Sequence, residues 1–218
     1  MELTRQIDAY CERLDPGYWA EPVNAVTNLA FIIAALVMGR RTRGNMMAQA
    51  LCVVLFAIGV GSYLFHTHAQ VWSALADVIP IGVFILLYLF AINRDGWGLR
   101  GWRAFGLTAL FIPYAGLTVP VFDQIPGLGS SAGYAPVPLL ILIYAALLYR
   151  RAPKLARGMA VGAVILIVSL TFRTIDAPLC AAFPLGTHFA WHLLNGFMLG
   201  WMIAVYHAHR LGNSADAR

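Results

Sequence analysis

The chain has 218 residues, of which 60% are hydrophobic and only 11% are charged, with a formal net charge of +5. Because soluble globular domains are about 25% charged, this composition excludes a soluble protein and predicts an integral membrane protein. Residues 1–21 are polar and net acidic, and they lack the apolar stretch of a cleavable signal peptide. We therefore expect the first apolar segment itself to insert into the bilayer.

Seven apolar segments follow in chain order, and a helix needs roughly 20 such residues to cross a bilayer. They are Pro22–Gly39, Met46–Thr67, Gln70–Ile92, Arg103–Phe122, Ala135–Tyr149, Gly158–Ile175 and Leu185–Tyr206. The connections are short and the sequence contains no internal repeat. It predicts an all-α, polytopic seven-helix bundle in which residues 1–218 form a single transmembrane domain, with residues 1–21 as a polar segment on the outer face.

The basic residues predict the orientation of this bundle, because Lys and Arg concentrate in cytosolic loops. With seven crossings, most of them fall on one side: Arg40, Arg41, Arg43, Arg94, Arg100, Arg103, Arg150, Arg151, Lys154, Arg157, Arg210 and Arg218. The other side keeps Arg5, Arg13 and Arg173 and most of the acidic residues. We expect the N-terminus outside and the C-terminus in the cytosol. The positive charge thus reports topology and does not indicate a nucleic-acid partner.

The cysteines agree with this layout. Cys11 and Cys180 both fall on the predicted outer face, where disulfides can persist. A bridge between them would tie the polar N-terminal segment across the outer end of the bundle, and two free thiols are the alternative. Cys52 lies within the second apolar segment and is interpreted as a small core residue.

Five polar side chains arrive at a similar depth near the outer boundary. His188 and His192 are four residues apart on one helix face, the spacing of two ligands to one metal ion. His66 ends the second segment, Ser62 lies one turn deeper on the same face, and Asp77 comes about two turns into the third segment. Ionisable residues inside a membrane normally face the bundle interior and mark function.

These residues match the requirements of a catalytic zinc site. Three histidines and a water make such a site, and zinc lowers the pKa of its water to about 7. Asp77 suits the role of the base and Ser62 that of a donor to the oxyanion. The alternative is that each residue has only a structural role. Ser62 would then be hydrogen-bonded to its own helix, His66 would lie at the interface, Asp77 would pair with Arg or His, and the other two histidines would be hydrogen-bonded within the bundle.

At these positions the chain resembles the alkaline ceramidase family, within the superfamily of seven-helix membrane hydrolases that also includes the progestin and adipoQ receptors. The matching pieces occur in order along nearly the whole chain. They are Tyr10-Cys11-Glu12, the stretch Trp19–Asn28, Ser62–His66, Asp77, Ile175-Asp176 with Cys180, and His188-Phe-Ala-Trp-His192 followed by Gly196.

The resemblance implies that His66, His188 and His192 bind zinc, that Asp77 orients or deprotonates the zinc-bound water and that Ser62 steadies the oxyanion. It implies hydrolysis of the amide bond of ceramide, or of another N-acylated lipid, to a sphingoid base and a fatty acid. It also implies a disulfide that matches Cys11 and Cys180.

A regulatory calcium site in the N-terminal segment is a further implication of the resemblance. Calcium takes six to eight oxygen ligands, and the candidates here are Asp8, Glu12, Asp15 and Glu21. The stretch from Cys11 to Glu21 is shorter than in the eukaryotic relatives, so Asp8 and Asp15 match only approximately. A solvated acidic terminus is the alternative.

Two other functions stay open from the sequence alone. One is a receptor or lipid-binding protein of the same superfamily with little or no hydrolytic turnover. The other is a proton-coupled carrier, although the paired, interrupted half-helices of transporters are missing from the sequence. The composition, rich in Ala, Arg and Gly, favours a bacterial protein and hence the plasma membrane.

Overall fold

The structure, a computed structural model, describes residues 2–216; Arg218, counted above among the cytosolic basic residues, lies outside them. Within the described residues, seven helical segments are long and apolar enough to span a membrane. They are Pro22–Arg41, Met46–His68, Val71–Gly96, Gly101–Asp123, Gly129–Leu148, Pro153–Thr174 and His188–Gly212. The all-α prediction and the number of spans are therefore confirmed.

Nine α-helices build these spans within the described chain, and a tenth, Asp176–Leu179, lies between the last two spans. They are α1 (Pro22–Thr27), α2 (Leu29–Arg41), α3 (Met46–His68), α4 (Val71–Ala91), α5 (Gly101–Ala109), α6 (Phe111–Asp123), α7 (Pro136–Leu148), α8 (Pro153–Thr174), α9 (Asp176–Leu179) and α10 (His188–Asp216). A π-helical turn, Ile92–Gly96, extends α4, and a 3₁₀ turn, Gly129–Gly133, precedes α7. Gln6 and Gln70 form an isolated antiparallel bridge.

Two boundaries differ clearly from the prediction, and one of them is the end of the last helix, which continues beyond Tyr206 to Asp216. The sixth span was expected to begin at Gly158, but α8 begins at Pro153. Proline is favoured in the first turn of a helix, because the backbone N–H groups of that turn have no acceptor within the helix and the loss of one costs little. Lys154 and Arg157 lower the hydropathy of that first turn, so an apolar window misses a turn that is nevertheless helical.

Glycines let the helices that carry the polar residues approach closely. A Cβ at Gly61 on α3 would overlap the carbonyl oxygen of Ala76 on α4. A Cβ at Gly196 on α10 would lie 2.9 Å from the Cβ of Ala30 on α2. Small residues at such contacts are typical of membrane helix packing. As a result, α2, α3, α4 and α10 converge around one end of the bundle.

The opposite end is held by a separate polar cluster. The Asp95 carboxylate accepts hydrogen bonds from Arg94 and Tyr206 and forms an ion pair with Arg210. This cluster joins the end of the third span to the C-terminal half of α10. Which end faces the cytosol stays a prediction that depends on the distribution of basic residues.

Candidate metal centre

Three histidines meet inside the bundle near one end. His66 comes from the last turn of α3, while His188 begins α10 and His192 follows one turn later. Each is at most 2% exposed, and one nitrogen from each ring lies within 4.8 Å of the others. The ring centroids are 4.6 to 5.2 Å apart. This triad could hold one metal ion.

Two of the ring nitrogens have no hydrogen-bond partner. Nδ1 of His188 and Nε2 of His192 are buried and unsatisfied. Buried polar atoms in proteins are almost always hydrogen-bonded, so these atoms need a partner that the protein alone does not supply. A metal ion bound between the rings would satisfy both, and the donor set of the site therefore fits a metal.

Thr27 fixes the orientation of one ring. Its Oγ1 donates to the carbonyl oxygen of Val23 at 2.8 Å and lies 2.9 Å from Nδ1 of His192. Because the Thr27 hydroxyl already has acceptors in the carbonyl oxygens of Val23 and Asn24, we assign the ring hydrogen of His192 to Nδ1, which then donates it to Thr27. Nε2 of His192 is then the lone-pair nitrogen that faces the triad. A hydrogen bond from the ring nitrogen that does not face the metal is a common way to orient a metal-binding histidine.

A carboxylate performs the same role for His66. Nδ1 of His66 donates to Oε2 of Glu21 at 2.6 Å, and Nε of Arg13 donates to Oε1 at the same distance. Burial by itself raises the pKa of the Glu21 carboxyl, but the hydrogen bonds and charges of His66 and Arg13 outweigh burial and lower that pKa below its ordinary value. Glu21 is therefore an ionised partner that leaves Nε2 of His66 free for a metal.

Asp176 positions the third histidine. Its Oδ1 accepts from the backbone N–H groups of Thr187 and His188, at 2.6 and 2.9 Å, and its Oδ2 accepts from the backbone N–H of Cys11 at 3.1 Å. A carboxylate at this position satisfies unpaired N–H groups at the start of α10 and complements the positive end of the helix dipole. Tyr10, next to Cys11, stacks on the His188 ring with centroids 3.6 Å apart.

Ser62 and Asp77 lie beside the triad, where the sequence predicts them. The Ser62 and Asp77 side chains face the same cavity, and the charge of Asp77 is close enough to His66 to interact with it. Both residues line a narrow, largely apolar cavity together with Trp191 and Asn195 of α10. The site thus places a carboxylate and a hydroxyl on the wall of an apolar cavity, next to three imidazoles.

An arginine borders the same space. The guanidinium of Arg173 lies over the rings of Tyr134 and Trp191, 4.9 and 5.8 Å from their centroids. It also donates hydrogen bonds to the hydroxyls of Ser130 and Ser131. Arg173 is one of the few basic residues at this end of the bundle.

The carboxylates expected to bind calcium are engaged elsewhere. Both oxygens of Glu12 accept backbone N–H groups at the start of α1, and both oxygens of Glu21 are hydrogen-bonded as described. Oδ1 of Asp15 accepts from the Gly17 N–H, and Asp8 is exposed. Among the described residues, the histidine triad is the one group that brings three or more His, Cys, Asp or Glu ligand atoms together. These four residues therefore do not fit the predicted calcium site.

The cysteine pairing has a clear geometry. Cys11 and Cys180 lie at disulfide distance with Cα atoms 5.2 Å apart, which supports the bridge implied by the resemblance. Cys52 is free and buried, as interpreted from the sequence.

Several residues around the triad could not be recognised as site residues from the sequence. Thr27 and Asp176 belong to stretches that resemble the family, but nothing in their spacing identifies which histidine each one contacts. Arg13 gave no signal of any kind beyond its location on the outer side.

Together the fold and the triad define a class: a multi-pass membrane protein with a buried three-histidine site that could bind a metal. Residues 8–217, nearly the whole chain, match the family model described as Ceramidase, and the chain belongs to that family. The match suggests ceramide hydrolysis and a hydrolase that acts on amide bonds. A comparison with individual curated proteins finds no match.

Proposed function

We propose that the protein is a zinc-dependent amidase that hydrolyses the N-acyl amide of ceramide, or of a ceramide-like membrane lipid, to a sphingoid base and a fatty acid. The observation that carries this proposal is the buried triad with two unsatisfied nitrogens, directly beside Asp77 and Ser62. Three histidines with an open position are typical of catalytic zinc. When bound, zinc would polarise the amide carbonyl and lower the pKa of a coordinated water to about 7.

The other roles in the reaction, which are metal binding, proton transfer and stabilisation of the oxyanion, are assigned to residues of the chain. His66, His188 and His192 would hold the ion through the nitrogens that face the triad. Asp77 accepts a proton as the water oxygen bonds to the amide carbon, and it returns that proton to the nitrogen as the C–N bond breaks. Ser62 turns its hydroxyl toward the carbonyl oxygen and donates a hydrogen bond as negative charge develops there.

The cavity indicates how a lipid would use this site. Its volume of about 70 Å³ is well below the roughly 300 Å³ of an ordinary ligand pocket. An acyl chain therefore requires the surrounding helices to move apart. The polar groups lie at the end of the cavity near the helix termini, so the amide would react close to the membrane boundary while the acyl chain extends inward between apolar side chains such as Ile81, Ile85 and Leu166.

Three further features are part of the proposal. Residues 1–218 form one seven-helix domain, the N-terminus lies outside and the C-terminus lies in the cytosol. The distribution of basic residues supports this orientation. The bacterial plasma membrane is proposed from composition alone.

Metal content and turnover, measured on the same preparation, test the function. Purified protein should contain about one zinc per chain and release fatty acid from a short-chain fluorescent ceramide. His192→Ala should lose both metal and turnover, whereas Asp77→Asn should keep the metal and lose turnover. Intact hydrolysis in Asp77→Asn would contradict the role of the base. Metal without any amide hydrolysis would favour a receptor or lipid-binding protein.

A further inference from the structure

Arg13 is a buried cation in the N-terminal segment. Its side chain donates through Nε to Glu21 at 2.6 Å and through Nη2 to the carbonyl oxygen of His66 at 3.0 Å. Nη1 donates to the carbonyl oxygens of Asp15 and Gly17, at 3.2 and 3.4 Å. The residue is 7% exposed. One carboxylate and three backbone carbonyls thus surround a single positive charge.

This oxygen set is of the kind that binds a hard cation. Calcium sites combine carboxylates with backbone carbonyls in a loop that folds around the ion, and here a short loop folds around a guanidinium. The charge also has an electrostatic function, because a buried carboxylate such as Glu21 is costly unless a cation compensates it. The guanidinium fills the space and supplies the charge at once.

We propose that Arg13 is the resident cation of this loop and that it holds Glu21 against His66 without calcium. The disagreement between the implied calcium site and the observed contacts then has a direct cause. Oε1 of Glu21 and the backbone carbonyl oxygens of Asp15 and Gly17 accept hydrogen bonds from Arg13, and the carboxylate of Glu12 accepts hydrogen bonds from the start of α1.

Arg13 is by this inference a positioning residue. It touches the Glu21 carboxylate, which accepts the hydrogen bond from Nδ1 of His66, so it acts on the triad through one intervening group. The effect of Arg13 on the triad rests on the proposed metal site, whereas the replacement of calcium by Arg13 does not.

Calcium titration of the unaltered protein is the first test. Protein purified in calcium-free buffer is heated with increasing calcium, and magnesium is the control for unspecific effects of a divalent ion. We expect the melting temperature to be the same with calcium as with magnesium. A saturable stabilisation by calcium alone, or stoichiometric binding of radioactive calcium, would overturn the inference.

Arg13→Ala is the second test, with Arg5→Ala as its matched control. Arg5→Ala removes the same charge from the same segment, but the Arg5 side chain is exposed. We expect Arg13→Ala to melt several degrees lower, to gain a calcium-dependent rise in melting temperature because the oxygens are then free, and to bind zinc about 10-fold more weakly. An Arg13→Ala protein as stable as Arg5→Ala and indifferent to calcium would refute the inference.

The readouts keep this inference separate from the proposed function. Melting temperature and calcium binding do not depend on turnover, so a protein that fails to hydrolyse ceramide can still support or contradict the role of Arg13. If Arg13→Ala does not fold, the calcium titration of the unaltered protein still decides the question.

Discussion

Nδ1 of His192 on the last span lies 2.9 Å from Oγ1 of Thr27 on the first span. The contact joins residues that are 165 positions apart in the sequence. Because it determines which imidazole nitrogen carries the hydrogen, it also determines which one can bind a metal.

Thr27→Val should weaken metal binding. The substitution keeps the shape of the side chain but removes one of the two partners of the His192 N–H, the other being the Asn24 backbone, and the loss of such a partner costs about 10–100-fold in metal affinity. Zinc content after competition with a chelator measures the effect. Thr171→Val is the matched control, since Thr171 is exposed and bonds only its own helix among the contacts described. Equal zinc retention in the two variants would contradict the role of Thr27.

Glu21→Gln should destabilise the protein. It leaves the buried guanidinium of Arg13 without its carboxylate, and removal of one member of a buried ion pair costs about 3–5 kcal/mol. The free energy of unfolding, measured in detergent with a denaturant, checks this. Glu2→Gln, at an exposed position, should have little effect; a similar loss in both variants would show that the ion pair is not the cause.

Ser62→Ala should lower kcat and leave the zinc content unchanged. The hydroxyl is expected to act only on the developing oxyanion, and loss of one such donor costs about 10²–10³ in kcat. Steady-state hydrolysis of a fluorescent ceramide, together with metal analysis, measures both quantities. Unchanged kcat would remove Ser62 from the mechanism.

Asp176→Ala should loosen the start of α10. The carboxylate satisfies the N–H groups of Thr187 and His188, and loss of a helix cap costs about 0.5–2 kcal/mol. We expect a lower melting temperature and a reduced zinc content, because His188 begins the helix. The exposed Asp8 provides the control as Asp8→Ala, and a drop of the same size there would count against this explanation.

Gly61→Ala should be far more harmful than Gly82→Ala. A methyl group at Gly61 would overlap the Ala76 carbonyl, whereas a Cβ at Gly82 meets no atom within 4 Å. Overpacking costs about 1–3 kcal/mol, and it would move α3 and α4 apart beside Asp77. Melting temperature and turnover should both fall for Gly61→Ala only; equal stability of the two variants would mean that the helices adjust freely.

The spans and the triad could be predicted from the sequence because segment length, residue spacing and position within a segment report them directly. Apolar segments of the right length predict the helices, and a spacing of four residues places His188 and His192 on one face. The partners of the triad could not be predicted in the same way. The contact of Thr27 with His192 and the contacts of Asp176 with α10 depend on how distant helices pack, which no local pattern reports.

The calcium site stays a prediction, and the contacts of Arg13 do not favour it. Acidic residues near the boundary indicate that a cation is needed, but they do not indicate which cation supplies the charge. Arg13 stands among those residues in the sequence, and only the fold turns its guanidinium inward onto Glu21.

The triad combines a histidine from α3 with two from α10, and its supporting contacts come from Glu21, Thr27 and Asp176. During synthesis, six spans emerge from the ribosome before α10 does. A metal ion at the proposed site would therefore bind only after the last helix has inserted, and chains that end before His188 would lack two of the three histidines.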